Sequence, residues 1–172
     1  MPEEPIPQSV ANSWSEPING LSGRLRVEFE DLKPGLRNAV YIELKNLLFN
    51  PVAVTNQPRI HAELYDSAGK PVNTSAFPMS GPIPNPQWAV IPADAYIGFR
   101  IDMQTVGVPT REHRMALLAV GGKTWRLKAE KYLLKVRLIF QYEEDGPQNQ
   151  WLGELELPPV EVIITAQMLT VN

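Results

Sequence analysis

Residues 125–142 read WRLKAEKYLLKVRLIFQY. From Tyr132 the stretch alternates: Tyr132, Leu134, Val136, Leu138, Phe140 and Tyr142 point one way. Lys135, Arg137 and Gln141 point the other way, with Leu133 and Ile139 as apolar exceptions. A side-chain period of two is that of a β-strand with one buried face, because successive side chains leave a pleated strand on opposite sides. The stretch therefore predicts a long central strand against which the rest of the chain packs.

The same alternation recurs on both sides of it. Leu21–Glu30 places Leu21, Gly23, Leu25, Val27 and Phe29 on one face, with charged residues between them. Asp31-Leu-Lys-Pro-Gly35 has the Pro-Gly order of a tight turn, and a second strand is expected over 39–48, with Val40, Ile42 and Leu44 inward. The alternation lapses between Asn46 and Asn50, and Pro51 closes it. A third strand over 59–66 leads into the loop Asp66-Ser-Ala-Gly69-Lys70, with Gly69 placed for positive φ. Residues 96–103 and 115–120 read as further strands, the latter turning at Gly121-Gly122 toward Trp125. Trp151–Leu157 alternates with Trp151 inward, and Tyr142 is expected beside it. Pro158-Pro159 then predicts a change of partner before Val160, Val162 and Ile164.

These elements predict an all-β chain, a β-sandwich of about eight or nine strands. Residues 1–20, with Pro2, Pro5, Pro7 and Pro17, read as an extended, poorly ordered arm, and 21–172 as one domain. Trp125-x-Leu127 followed by Tyr132-x-Leu134-x-Val136 resembles the approach to the penultimate strand of immunoglobulin-like and fibronectin type III-like domains. That resemblance implies an immunoglobulin-like Greek-key sandwich, with Tyr132 as a corner tyrosine whose hydroxyl bonds back to nearby backbone. The chain departs from the pattern in having Ala129-Glu130 where Pro-Gly is usual, and no cysteine pair.

Composition narrows the function. The 172 residues are 44% hydrophobic and 20% charged, which is globular, and the net charge of −3 carries no footprint for nucleic acid. With no cysteine there is neither a disulfide nor a thiolate metal site. No apolar run approaches a membrane span, and MPEEPIPQSV lacks the features of a signal peptide. That start fits either a cytoplasmic protein or one whose signal has been removed, so the compartment stays unassigned. His61 and His113 are the only histidines, and neither nucleophile elbow nor phosphate loop occurs. Gly121-Gly122-Lys123-Thr124 lacks the upstream glycine of a phosphate loop, and Glu143-Glu144-Asp145-Gly146 does not fit a twelve-residue calcium loop. No catalytic residue, metal or cofactor is assigned.

Nine lysines and arginines fall in residues 100–137, whereas 138–172 holds six acids and no Lys or Arg. Cross-strand pairing accounts for the division: a hairpin placing Phe140 opposite Gly153 sets Arg137 opposite Glu156. What remains is surface. Five prolines in FPMSGPIPNPQWAVIP (77–92) make a long crossover with a short edge strand at Trp88–Ile91. Phe77, Met79, Ile83 and Trp88, with Trp14 of the arm, are the candidate binding residues for an unidentified protein partner. The reading that competes with this, and that the pattern favours, makes the same residues a cover for the open sheet edge, with Trp14 tucked onto the domain. The expected function is thus that of a non-catalytic binding or accessory module. A protease inhibitor presenting Ser80–Pro84, or a carbohydrate-binding module stacking sugars on Trp88, Trp14 or Tyr65, are the alternatives.

Overall fold

The computed structural model describes residues 13–32, 35–75, 86–101 and 115–170. It is all-β, with ten strands and one short 3₁₀ turn at Gln167–Leu169 among those residues. β1 (Leu21–Leu32) and β2 (Gly35–Asn46) form a regular antiparallel hairpin, paired from Leu32↔Gly35 to Leu21↔Asn46. The second edge of β2 is shared. β6 (Tyr96–Arg100) runs antiparallel along Tyr41–Lys45, and β7 (Ala116–Val120) runs parallel at Leu36 and Arg37, continuing into β8 (Lys123–Leu127). The parallel pairing is only two residues long, and Asn38 extends it. Its buried side chain accepts from the Ala119 N–H at 2.6 Å and donates to the Ala119 carbonyl at 3.2 Å, so the strands stay joined beyond their own ladder.

The second sheet has the order β10-β9-β4, where β4 is Arg59–Tyr65, β9 is Lys131–Phe140 and β10 is Gly153–Ile163. The organising stretch therefore supplies the central strand β9, with Tyr132, Leu134, Val136, Leu138 and Phe140 all buried. The two sheets bury one main core between them, with Leu117 and Ala119 in a small cluster apart from it. Gly23 of β1 lies so close to Leu157 of β10 that a side chain there would clash with it and press on Leu44 of β2. A pair of short strands, β3 (Val52–Thr55) and β5 (Trp88–Ile91), closes one flank.

Several expectations are corrected. Among the described residues there are ten strands, one more than expected because β3 starts directly after Pro51, where alternation alone ends the segment. β2 begins at Gly35, four residues earlier than expected, because its hairpin with β1 is tight. Pro158-Pro159 does not change partner: β10 stays on β9 across a bulge between Leu157 and Val160. The reason is its position at the sheet edge, where prolines cost no ladder bond on the outer side. Tyr142 lies past the end of β9 and is 69% exposed rather than inward. Trp151 packs edge-on against Phe140 instead, with ring centroids 5.3 Å apart.

The pairing of Phe140 with Gly153 and of Arg137 with Glu156 is present in the register. The Arg137 Nη1, however, lies 3.5 Å from the carboxylate of Glu154, one row along. Both groups are exposed, so the pair contributes at most about 1 kcal/mol, and its value is in disfavouring slipped registers. Lys131–Glu161, at 3.6 Å, repeats the arrangement at the far end.

The Tyr132 hydroxyl bonds back to nearby backbone. It accepts from the Lys128 N–H at 3.0 Å and donates weakly to the Lys128 carbonyl at 3.4 Å. Burial raises the phenol above its ordinary value of 10, offset in part by the Lys128 bond and reinforced by Glu130 and Asp66. Since the unfolded chain releases this proton first, stability is retained below pH 10 and lost as pH rises toward the folded value. Tyr132→Phe is expected to flatten that alkaline loss, measured as the urea midpoint between pH 8 and 11.

Candidate functional site

Of the five anchors picked from the sequence, Phe77, Met79 and Ile83 lie outside the described residues. Trp14 is half-buried. The Arg24 guanidinium sits 4.6 Å from its ring centroid and Tyr96 meets it edge-on at 6.1 Å. The backbone beside it is tied down, because the Ser15 N–H donates to Gly23 at 2.8 Å and the Ser22 hydroxyl to Ser15 at 2.6 Å. Trp88 is also half-buried in β5, its ring against Gly146. Tyr65 belongs to the other sheet, with Lys135 over its ring at 4.8 Å and its hydroxyl donating to Glu63 at 2.7 Å. The structure thus does not bring Trp14, Trp88 and Tyr65 together. His61 is exposed in the same cross-strand row as Arg137 and Glu156. No cluster of three or more His, Asp or Glu groups suited to a metal occurs among the described residues.

The structure points instead to the segment where alternation lapsed. β2 ends at Asn46, whose side chain is fully buried at 0% exposure. Its amide nitrogen lies within donating distance of three carbonyls, those of Asn50 at 2.9 Å, Ile91 at 3.0 Å and Pro92 at 3.2 Å. Its carbonyl oxygen accepts from the Leu48 N–H at 2.9 Å, turning the chain over its own side chain. Backbone bonds hold the loop from two further sides: Asn46 N–H to the Ala95 carbonyl at 2.9 Å and Leu47 N–H to the Gly20 carbonyl at 2.7 Å. A fourth segment joins through the Asn149 amide, which donates to the Pro51 carbonyl at 3.2 Å.

Asn19-Gly20 makes this packing possible. Both residues have positive φ, +46° and +78°, the geometry of a two-residue hairpin turn between Ile18 and Leu21. The Asn19 carbonyl accepts from the Trp151 indole at 3.2 Å. A Cβ on Gly20 would overlap the Leu48 side chain, so glycine is needed both for the turn and for Leu48 to lie across it.

Leu48 folds back and Phe49 does not. Phe49 is 98% exposed at the tip of a loop bonded to three neighbouring segments. Burying a phenyl ring is worth about 1.5–3 kcal/mol, which folding forgoes here. It is not an isolated surface residue either. Ile18, Leu47, Leu48, Phe49, Tyr142 and Leu152 are six of the nine exposed large apolar side chains among the described residues. All six lie on segments 17–20, 46–51 and 141–152, which meet at one end of the sandwich. Apolar side chains gathered at one end form a candidate contact surface, whereas scattered ones need no explanation.

Comparison of the chain with protein-family models, with curated proteins and with solved structures finds no match. No helix among the described residues is long and apolar enough to cross a membrane.

The Leu47-Leu48-Phe49 signal was present in the sequence. Three consecutive large apolar residues bounded by Asn46 and Asn50-Pro51 cannot all face one core from a turn. Loss of alternation marks the turn; which residue stays outside depends on the Asn46 bonds, and these are formed with segments more than forty residues away.

Proposed function

We propose that the chain is a non-catalytic, immunoglobulin-like β-sandwich that works as a binding or accessory module for a protein partner. Its contact surface is the apolar end, with Phe49 as the anchor. The observation that carries this reading is an almost fully exposed phenylalanine on a loop pinned by a buried asparagine. An anchor presented on a rigid loop loses little conformational freedom on binding, which is where affinity is gained. The immunoglobulin-like assignment draws support from the Tyr132–Lys128 bond. Against sugar stacking, the Trp14 and Tyr96 rings are inclined at 70° and present no flat platform.

The test uses the full chain with benzoylphenylalanine at position 49, followed by light-induced cross-linking in lysate of the source organism. The trapped protein is purified and its affinity measured for the wild type, Phe49→Ser and Leu133→Ser. Phe49→Ser is expected to weaken binding at least about tenfold, as removal of an interface anchor does, with Leu133→Ser, on the outer face of β9, near wild type. Equal affinity for the wild type and Phe49→Ser would overturn the assignment.

A further inference from the structure

The acid–base balance at this end separates the partners an apolar tip can take. Segments 13–20, 46–51, 92–95 and 141–152 contain Glu16, Asp94, Glu143, Glu144 and Asp145, and no lysine, arginine or histidine. The whole chain, by contrast, has a net charge of only −3. The segments are joined by the Leu47–Gly20, Asn46–Ala95 and Asn149–Pro51 bonds, so the loops that carry the five carboxylates adjoin the loop of Phe49. All five are exposed, and among the described residues none is ion-paired. On the strands, several acids meet bases: Arg24–Glu43, Arg100–Glu30, Lys131–Glu161 and Arg137–Glu154 pair across strands.

The Glu143–Asp145 corner is also held in shape. The Gln150 side chain accepts from the Glu143 N–H at 3.0 Å and donates to its carbonyl at 2.7 Å. Gln150 itself pairs with Ala53 of β3, and Asn149 bonds to Pro51, two residues beyond Phe49. Apolar tip and acidic rim are thus parts of one rigid assembly of loops.

From this we infer that the partner is a protein presenting an apolar pocket edged by lysine and arginine. The pocket takes Phe49, and its basic rim meets Glu143, Glu144 and Asp145. This rests on the assignment of Phe49 as the anchor. An anionic bilayer would be repelled by five carboxylates, and a second copy docking end to end would place two such sets together.

Association kinetics of the cross-linked and purified partner test the inference. Glu143→Lys/Glu144→Lys/Asp145→Lys is compared with the wild type and with Phe49→Ser at 50 and 500 mM NaCl. Complementary charge acts on encounter, so the triple variant is expected to associate at least about tenfold more slowly at low salt, with the gap closing at high salt. Phe49→Ser is expected to act chiefly on dissociation. An association rate that is unchanged or faster in the triple variant overturns the basic rim while leaving the anchor standing. Loss of the Phe49→Ser effect overturns the anchor itself. Flotation with vesicles of phosphatidylcholine alone, or with phosphatidylserine at 4:1, is expected to leave the chain unbound. Light scattering is expected to give a monomer. Phe49-dependent vesicle binding or dimerisation would overturn the protein-pocket inference.

Discussion

Asn46→Ala is expected to destabilise the fold by about 2–4 kcal/mol, since it removes one buried amide and strands several groups at once. The two hydrogens that the amide shares among the carbonyls of Asn50, Ile91 and Pro92 are lost, and the Leu48 N–H loses its acceptor. The Ile91 carbonyl is buried with Asn46, so water cannot substitute there unless the loop opens. For a chain of this size the loss corresponds to a fall in melting temperature of roughly 5–15 °C. A second consequence is local. The Leu48 amide, protected while it donates to Asn46, is expected to exchange with solvent much faster in the variant. Urea unfolding and amide exchange on the same sample check both parts. A cost below about 0.5 kcal/mol, the range of ordinary surface changes, would mean that Asn46 does not hold the loop.

Trp125→Ala is expected to cost about 3–5 kcal/mol, the range for emptying a buried aromatic site. Trp125 lies in β8, paired with Leu118, and is among the largest fully buried side chains. Its indole donates to the Val72 carbonyl at 3.1 Å, which ties the segment after β4 to the first sheet. Trp125→Phe separates the two contributions. It keeps most of the apolar area and loses the bond, so about 1–2 kcal/mol is expected. Chemical denaturation of the three proteins, compared at constant slope, gives the difference directly. Equal costs for the alanine and phenylalanine variants would mean that packing contributes nothing there.

Where one face of a strand is buried, alternation carries both the element and its register. β9 shows this, with every second residue from Tyr132 to Phe140 in the core. The Phe140–Gly153 register also follows from pattern, since a one-residue slip would bury charges. Alternation fails where a strand is buried on both sides. β3 (Val52–Thr55) is buried at all four residues and so has no period of two to read. It also says nothing about whether Pro158-Pro159 is an interruption or an edge, because that depends on the strand's place in the sheet.

The candidate site was legible only in part, for a related reason. Proline-rich stretches and lone tryptophans draw notice in a sequence, yet Trp14 and Trp88 are half-buried against Arg24 and Gly146. Phe49 stands out less because Leu-Leu-Phe looks like core. Its exposure follows from long-range bonds of Asn46 to Ile91 and Pro92, and from the Gly20 turn beneath Leu48. Likewise the five carboxylates are spread from Glu16 to Asp145, and the loops that carry them adjoin only through bonds between distant segments.

Equilibrium urea unfolding of Phe49→Ser tests most directly whether Phe49 serves contact rather than folding. A side chain that folding leaves in water should cost less than about 0.5 kcal/mol to replace, so wild type and variant should unfold at the same midpoint. A loss of about 2 kcal/mol or more would mark Phe49 as a core residue and contradict its assignment as a presented anchor.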